Sequence, residues 1–103
     1  MGWDKEYILE LKSDRSLAPM IEENISEKYR IKILHRGEQL FYHDKNQNRA
    51  IIIEIQVRNG SIFESSIKTW EDNTEITKQE KELILLRLKK YFKNFQQIEA
   101  AVR

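Results

Sequence analysis

In R-A-I-I-I-E-I-Q-V-R, residues 49–58, Ile51, Ile53, Ile55 and Val57 occupy every second position, with Ile52, Glu54, Gln56 and Arg58 between them. That is the period of a strand whose two faces meet different surroundings. Upstream, Y-R-I-K-I-L-H and E-Q-L-F-Y-H flank Arg36-Gly37 and predict a hairpin with Ile31, Ile33, Leu40 and Tyr42 inward. D-K-N-Q-N then turns the chain into the Ile-rich strand. Asn59-Gly60 predicts a type I′ turn, in which both central residues need positive φ, returning as S-I-F-E-S-S-I. The expectation is an antiparallel meander over residues 29–67.

The period changes after Thr77. Thr77-Lys78-Gln79-Glu80 fits a capping box, with the hydroxyl accepting from the Glu80 amide and the carboxylate reaching back. Ile84, Leu88, Tyr91, Phe92, Phe95 and Ile98 then follow helical spacing, predicting a helix over 77–98 whose apolar stripe covers the sheet. Leu86 falls opposite that stripe, among Glu82, Lys89, Lys90 and Lys93, as a lone exposed leucine or a contact residue. Residues 1–28 read less clearly. E-Y-I-L-E-L-K fits a strand, and Pro19 fits the start of a short helix through Ile21, Ile25 and Tyr29. The fold class expected is α+β: one domain over 1–103, a four- to five-strand antiparallel meander packed against a C-terminal amphipathic helix.

Composition narrows the setting. A chain of 103 residues with 40% hydrophobic and 34% charged residues has enough apolar surface for one core. Cysteine is absent, so disulfides and thiolate metal sites are excluded, and the charged start M-G-W-D-K-E is unlike a signal peptide. A cytoplasmic protein without a membrane partner is expected. Net charge is +1 but segregated: residues 1–27 hold seven acids and three bases, 28–58 three and seven, 59–77 four and one, 78–103 three and seven. Such blocks serve either as solvated faces complementing their neighbours or as binding surfaces.

Chemistry is sparse. The three glycines form no phosphate loop, and His35 and His43 would lie five residues apart along the first hairpin, too far to share a metal. They read as half-exposed residues. Ser61, Ser65 and Ser66 lack a nucleophile elbow or a dedicated base. No catalytic, cofactor or metal site is expected, and no enzyme. Arg87, Lys89, Lys90 and Lys93 form a basic helix face able to track phosphates, but Tyr91 is assigned to the buried stripe and near-neutral net charge argues against nucleic acid.

Two features remain. A two-residue turn at Asn59-Gly60 would pair Val57 with Ile62 and Ile55 with Glu64, so either a bulge shifts the register or Glu64 lies inward in a pocket. In S-I-K-T-W-E-D-N-T-E, Ile67 and Trp70 could close the sheet's end, with Glu71, Asp72 and Glu75 favourable before a helix N-terminus. The same run also suits a surface for a basic partner, since aromatics anchor interfaces and acids steer association.

From Glu54 through N-G-S-I-F-E-S-S-I-K-T-W-E to E-I-T-K-Q-E-K-E-L-I-L-L-R-L-K-K-Y-F, the chain resembles the immunity proteins of bacterial polymorphic toxin systems, specifically immunity protein family seventy-four. The likeness spans residues 30–95, with Ser66, Ile67, Trp70 and Glu71 matching the S-I-x-x-W segment position by position. The Pro-rich continuation of that motif is replaced by Glu71-Asp72-Asn73, and the first 28 residues have no counterpart. The resemblance implies a non-enzymatic inhibitor of a cognate toxin domain, with a nuclease as one suitable target. Glu64, Trp70, Glu71, Asp72 and Glu75 are the partner-binding candidates on that reading. The alternatives are a small interaction module using Leu86, or a nucleic-acid-binding domain using the basic helix.

Overall fold

Ile51, Ile53 and Ile55 all lie on one face of a strand and are all buried, while Glu54 and Gln56 on the other face are exposed. In the computed structural model, which describes residues 5–13, 21–22 and 28–103, this strand is the centre of an α+β fold. The elements in order are helix α1 (Lys5–Ser13), strands β1 (Ile21–Glu22), β2 (Lys28–Leu34), β3 (Gln39–Asp44), β4 (Arg49–Gln56) and β5 (Ser61–Ile62), helix α2 (Lys78–Tyr91) and strand β6 (Ala101–Val102). Strand order follows chain order. Pairing is antiparallel from β1 to β5, and β6 adds in parallel beside β5.

Both sheet faces are covered. Ile31, Leu40, Tyr42, Ile51, Ile53, Ile55 and Ile62 pack with Ile84 and Leu88 of α2, with Phe92 just after it, and with Ile67, Trp70 and Ile76 from the preceding connection. On the opposite face Leu34, Phe41 and Ala50 pack with Ile8 and Leu11 of α1, joined by Tyr7 and Ile52. The segment E-Y-I-L-E-L-K is therefore a helix, not the expected strand. Its i, i+3 pair Ile8 and Leu11 faces the sheet and Leu9 faces solvent. The apolar surface around Phe41 and Ala50 needs that cover, and tertiary packing overrides the near-alternating pattern. Ile21–Glu22 is extended and pairs with Lys28–Tyr29, so no helix runs from Ile21 to Tyr29. Pro19 and Ile25 lie outside the described residues.

Registers agree with expectation in one hairpin and not in the next. Leu34 pairs with Gln39 and Ile31 with Tyr42, centring the first hairpin on Arg36-Gly37. Around Asn59-Gly60, however, Ile55 pairs with Ile62 and Gln56 with Ser61. Only Gly60 has positive φ, at 71°, after a 3-10 turn over Val57–Asn59. The Asn59 side chain accepts from the Ser61 amide (3.1 Å), which fixes this four-residue loop instead of a type I′ turn. Gly60 is further required because the returning tail passes over it: a Cβ there would lie 2.7 Å from Ile98 Cγ2. Strand β5 then ends after two residues. Glu64 enters a 3-10 turn (Glu64–Ser66) and faces solvent, so it neither pairs with Ile55 nor turns inward.

The α2 capping box is present in full: the Glu80 amide donates to Thr77 Oγ1 (3.1 Å) and the Thr77 amide to Glu80 Oε1 (2.9 Å). Ile84, Leu88 and Phe92 are buried as expected, but the helix widens into a π turn over Phe92–Gln96. A wider turn slips the phase of the stripe. Phe95 is consequently 60% exposed, stacked on Tyr91 with centroids 5.2 Å apart. Arg87, expected on the basic face, is buried instead, since it precedes Leu88 on the sheet side.

Candidate functional site

Trp70 lies under the chain, not on it. It is 2% exposed, its ring 6.3 Å from Tyr42, with the Arg49 guanidinium 5.6 Å above it. An indole that buried cannot touch a partner, so the surface-anchor role is withdrawn and the closing role stands. Its backbone organises the turn above: the Trp70 amide donates to Thr74 O (2.9 Å), the Asn73 amide to Trp70 O (2.9 Å), and Thr69 and Glu75 form a bridge. The Glu71 amide donates to Ala50 O (2.9 Å), anchoring this turn to β4.

The acids on the turn are held individually. Asp72 accepts from the Thr74 amide (2.9 Å) and lies 3.5 Å from Arg49 Nε. Hydrogen bonding from Thr74, assisted by Arg49, holds its carboxyl below the usual aspartate range. Glu71 pairs with Lys12 of α1, and Arg49 also reaches Glu80 Oε2 at 3.3 Å. Glu75 is exposed. Glu64 stands apart from this group, paired with Lys81 at 2.7 Å. Phe63 hydrogen-bonds to Glu54 and Glu71 to Ala50, four residues apart on β4, so the two acidic segments attach to the sheet about 13 Å from each other.

Around Asp72 the surface becomes concave. A cleft of about 410 Å³ is bordered by Leu9 of α1, by Gln47, Asn48 and Arg49, and by Glu71, Asp72 and Asn73. Asn48 and Asn73, from two different turns, both have left-handed backbones (φ 53° and 67°). Gln47 also borders a small cavity of about 30 Å³ shared with Trp70, Glu80 and Leu83. Gln47 thus links the cleft beside Leu9 to the cavity beside Leu83, and Leu86 follows one turn along α2. Leu9, Leu83 and Leu86 are 61%, 39% and 51% exposed. Two candidate regions separate in sequence, Glu71-Asp72 and Leu86, thus join one strip. Leu9, Leu83, Asn48 and Arg49 belong to it as well, and only the i, i+3 spacing of Leu83 to Leu86 signals this in the sequence.

The remaining unusual polar groups are inside. Arg87 donates to Tyr42 Oη (2.6 Å), sits 4.0 Å from Asp44 Oδ2 and lies 4.5 Å over the Tyr29 ring. Burial raises the Tyr42 phenol, partly offset by Arg87. His35 is exposed, whereas His43 is 1% exposed and not half-exposed as expected, because α1 covers its side of the sheet. Its Nε2 donates to Asn48 Oδ1 (3.0 Å), its Nδ1 is unpartnered among the described residues, and burial pushes its pKa down to about 4. These groups hold turns and faces together.

Among the described residues no cluster of His, Asp and Glu could hold a metal ion, and no helix is long and apolar enough to cross a membrane. Compared with family models, curated proteins and solved structures, the chain matches none.

Proposed function

We propose that this protein binds and neutralises a cognate bacterial toxin domain without catalysing a reaction, acting through the strip from Leu9 to Leu86. The motif likeness over residues 30–95 suggests the class. The observation that carries the surface is that exposed Leu9 and Leu83, with exposed Leu86 one turn beyond, border a polar centre pinned to the sheet by Trp70, Ala50 and Arg49. Apolar anchors beside fixed charges are the ordinary anatomy of a protein interface. Within that centre Glu71, Asp72 and Glu80 outnumber Lys12 and Arg49, favouring a partner with a basic contact surface, as a nuclease cleft would offer.

Co-expression with the proposed cognate toxin domain should give a stable complex and protect the host cell. Leu83→Asp and Asp72→Lys should each weaken the complex at least tenfold while leaving thermal stability within a few degrees. No complex and no protection would reject the reading, and undiminished binding by both variants would reject the surface.

One observation favours a second reading. Phe95, rotated outward, supplies the exposed aromatic that a nucleic-acid contact on the helix with Lys89, Lys90 and Lys93 requires. A salt titration with single-stranded DNA would show a steep loss of affinity that Phe95→Ala also produces; salt-independent or absent binding excludes it.

A further inference from the structure

At the end of the sheet away from the β3–β4 turn, two other turns lie side by side. The β2–β3 turn places His35, Arg36 and Gly37 consecutively at positive φ (49°, 57° and 95°). Such a run is rare for residues with side chains, and surrounding structure must impose it. The neighbouring 3-10 turn does so: a Cβ on Gly37 would meet Val57 Cβ at 3.0 Å, and the Ile55 amide donates to Glu38 O (3.1 Å). Between the turns is a groove of about 250 Å³, bordered by Arg36, Gly37, Glu38, Gln56, Val57 and Arg58. Arg36 and Arg58 are exposed, and neither has a hydrogen-bond or ion-pair partner among the described residues.

We propose that this groove binds a phosphate-class oxyanion between Arg36 and Arg58. Arg36 and Arg58 border one groove from separate, mutually braced turns, and the planar donor fork of a guanidinium suits a tetrahedral oxyanion better than an ammonium does. Glu38 on the same border lowers the net charge of the groove to that of a single cation, so it accommodates one anionic group and not a run of them. The volume, about 250 Å³, lies just below the range of pockets for drug-sized ligands, as suits a small anion. The oxyanion is either free phosphate or the phosphoryl group of a nucleotide.

The test is titration of the full chain with inorganic phosphate and, separately, adenosine monophosphate at constant ionic strength, followed by ¹H–¹⁵N spectra including arginine Nε. Saturable shifts confined to residues 35–38 and 56–58 are expected, with affinity reduced at least tenfold in Arg36→Gln/Arg58→Gln. Lys45→Gln, in the β3–β4 turn at the opposite end of the sheet, should bind normally. Tighter binding of the nucleotide identifies a nucleotide as the source, and equal binding identifies phosphate itself. Shifts that never saturate, or that persist in the double arginine variant while its spectrum stays folded, overturn the assignment.

Discussion

His43 illustrates how a single buried side chain links structure to pH. Its pKa is near 4 in the fold against 6.5 for an accessible imidazole, so between those values the unfolded chain binds more protons than the folded one. Stability contributed by neutral His43 is therefore full above pH 6.5 and falls as pH drops towards 4, by on the order of 2–3 kcal/mol. Denaturant titrations across that window should show the loss, and His43→Gln should flatten the slope; an unchanged slope would show that the imidazole does not carry it. Arg87 is the other demanding residue. Arg87→Met leaves Asp44 and Tyr42 without their cation and should cost about 3 kcal/mol, whereas Tyr42→Phe removes one hydrogen bond for about 1 kcal/mol; chemical denaturation measures both. Neither burial is legible in the sequence, because nothing local marks an arginine or histidine whose neighbours come from another element.

At the scale of elements, strong periodicity and strong caps were readable. The alternating isoleucines of β4 and the Thr77 box specify their structures locally, so Thr77→Ala should lower stability by about 1 kcal/mol in thermal or urea unfolding. Helix α1 was not readable: nine residues with two inward apolar positions carry little signal, and it is the exposed second face of the sheet that selects the helix. The loop at Asn59-Gly60 illustrates another limit. The dipeptide marks a turn, but the side-chain bond from Asn59 and the tail crossing Gly60 choose its length. That choice moves Glu64 out to solvent. Gly60→Ala, strained by positive φ and crowded by Ile98, should destabilise by more than 1 kcal/mol; melting would measure it.

Taken whole, the molecule separates its two candidate surfaces by topology. Hairpin turns alternate between the ends of an antiparallel sheet, so the β3–β4 turn with its cleft and the arginine-bearing turns occupy opposite ends. Part of the first surface was legible as an acidic run beside Trp70. Its apolar half was not, because Leu9 and Leu83 become neighbours of that run only through the packing of α1 and α2 on opposite faces. Trp70 is central to this arrangement as a buried strut: Trp70→Ala should cost about 4 kcal/mol and loosen the turn carrying Asp72. Hydrogen–deuterium exchange of the chain alone and mixed with the cognate toxin domain proposed as its partner tests the proposed strip most directly. Binding should protect residues 47–49, 70–74 and 83–86, leaving residues 35–38 unchanged; protection elsewhere, or none on mixing, would contradict the account.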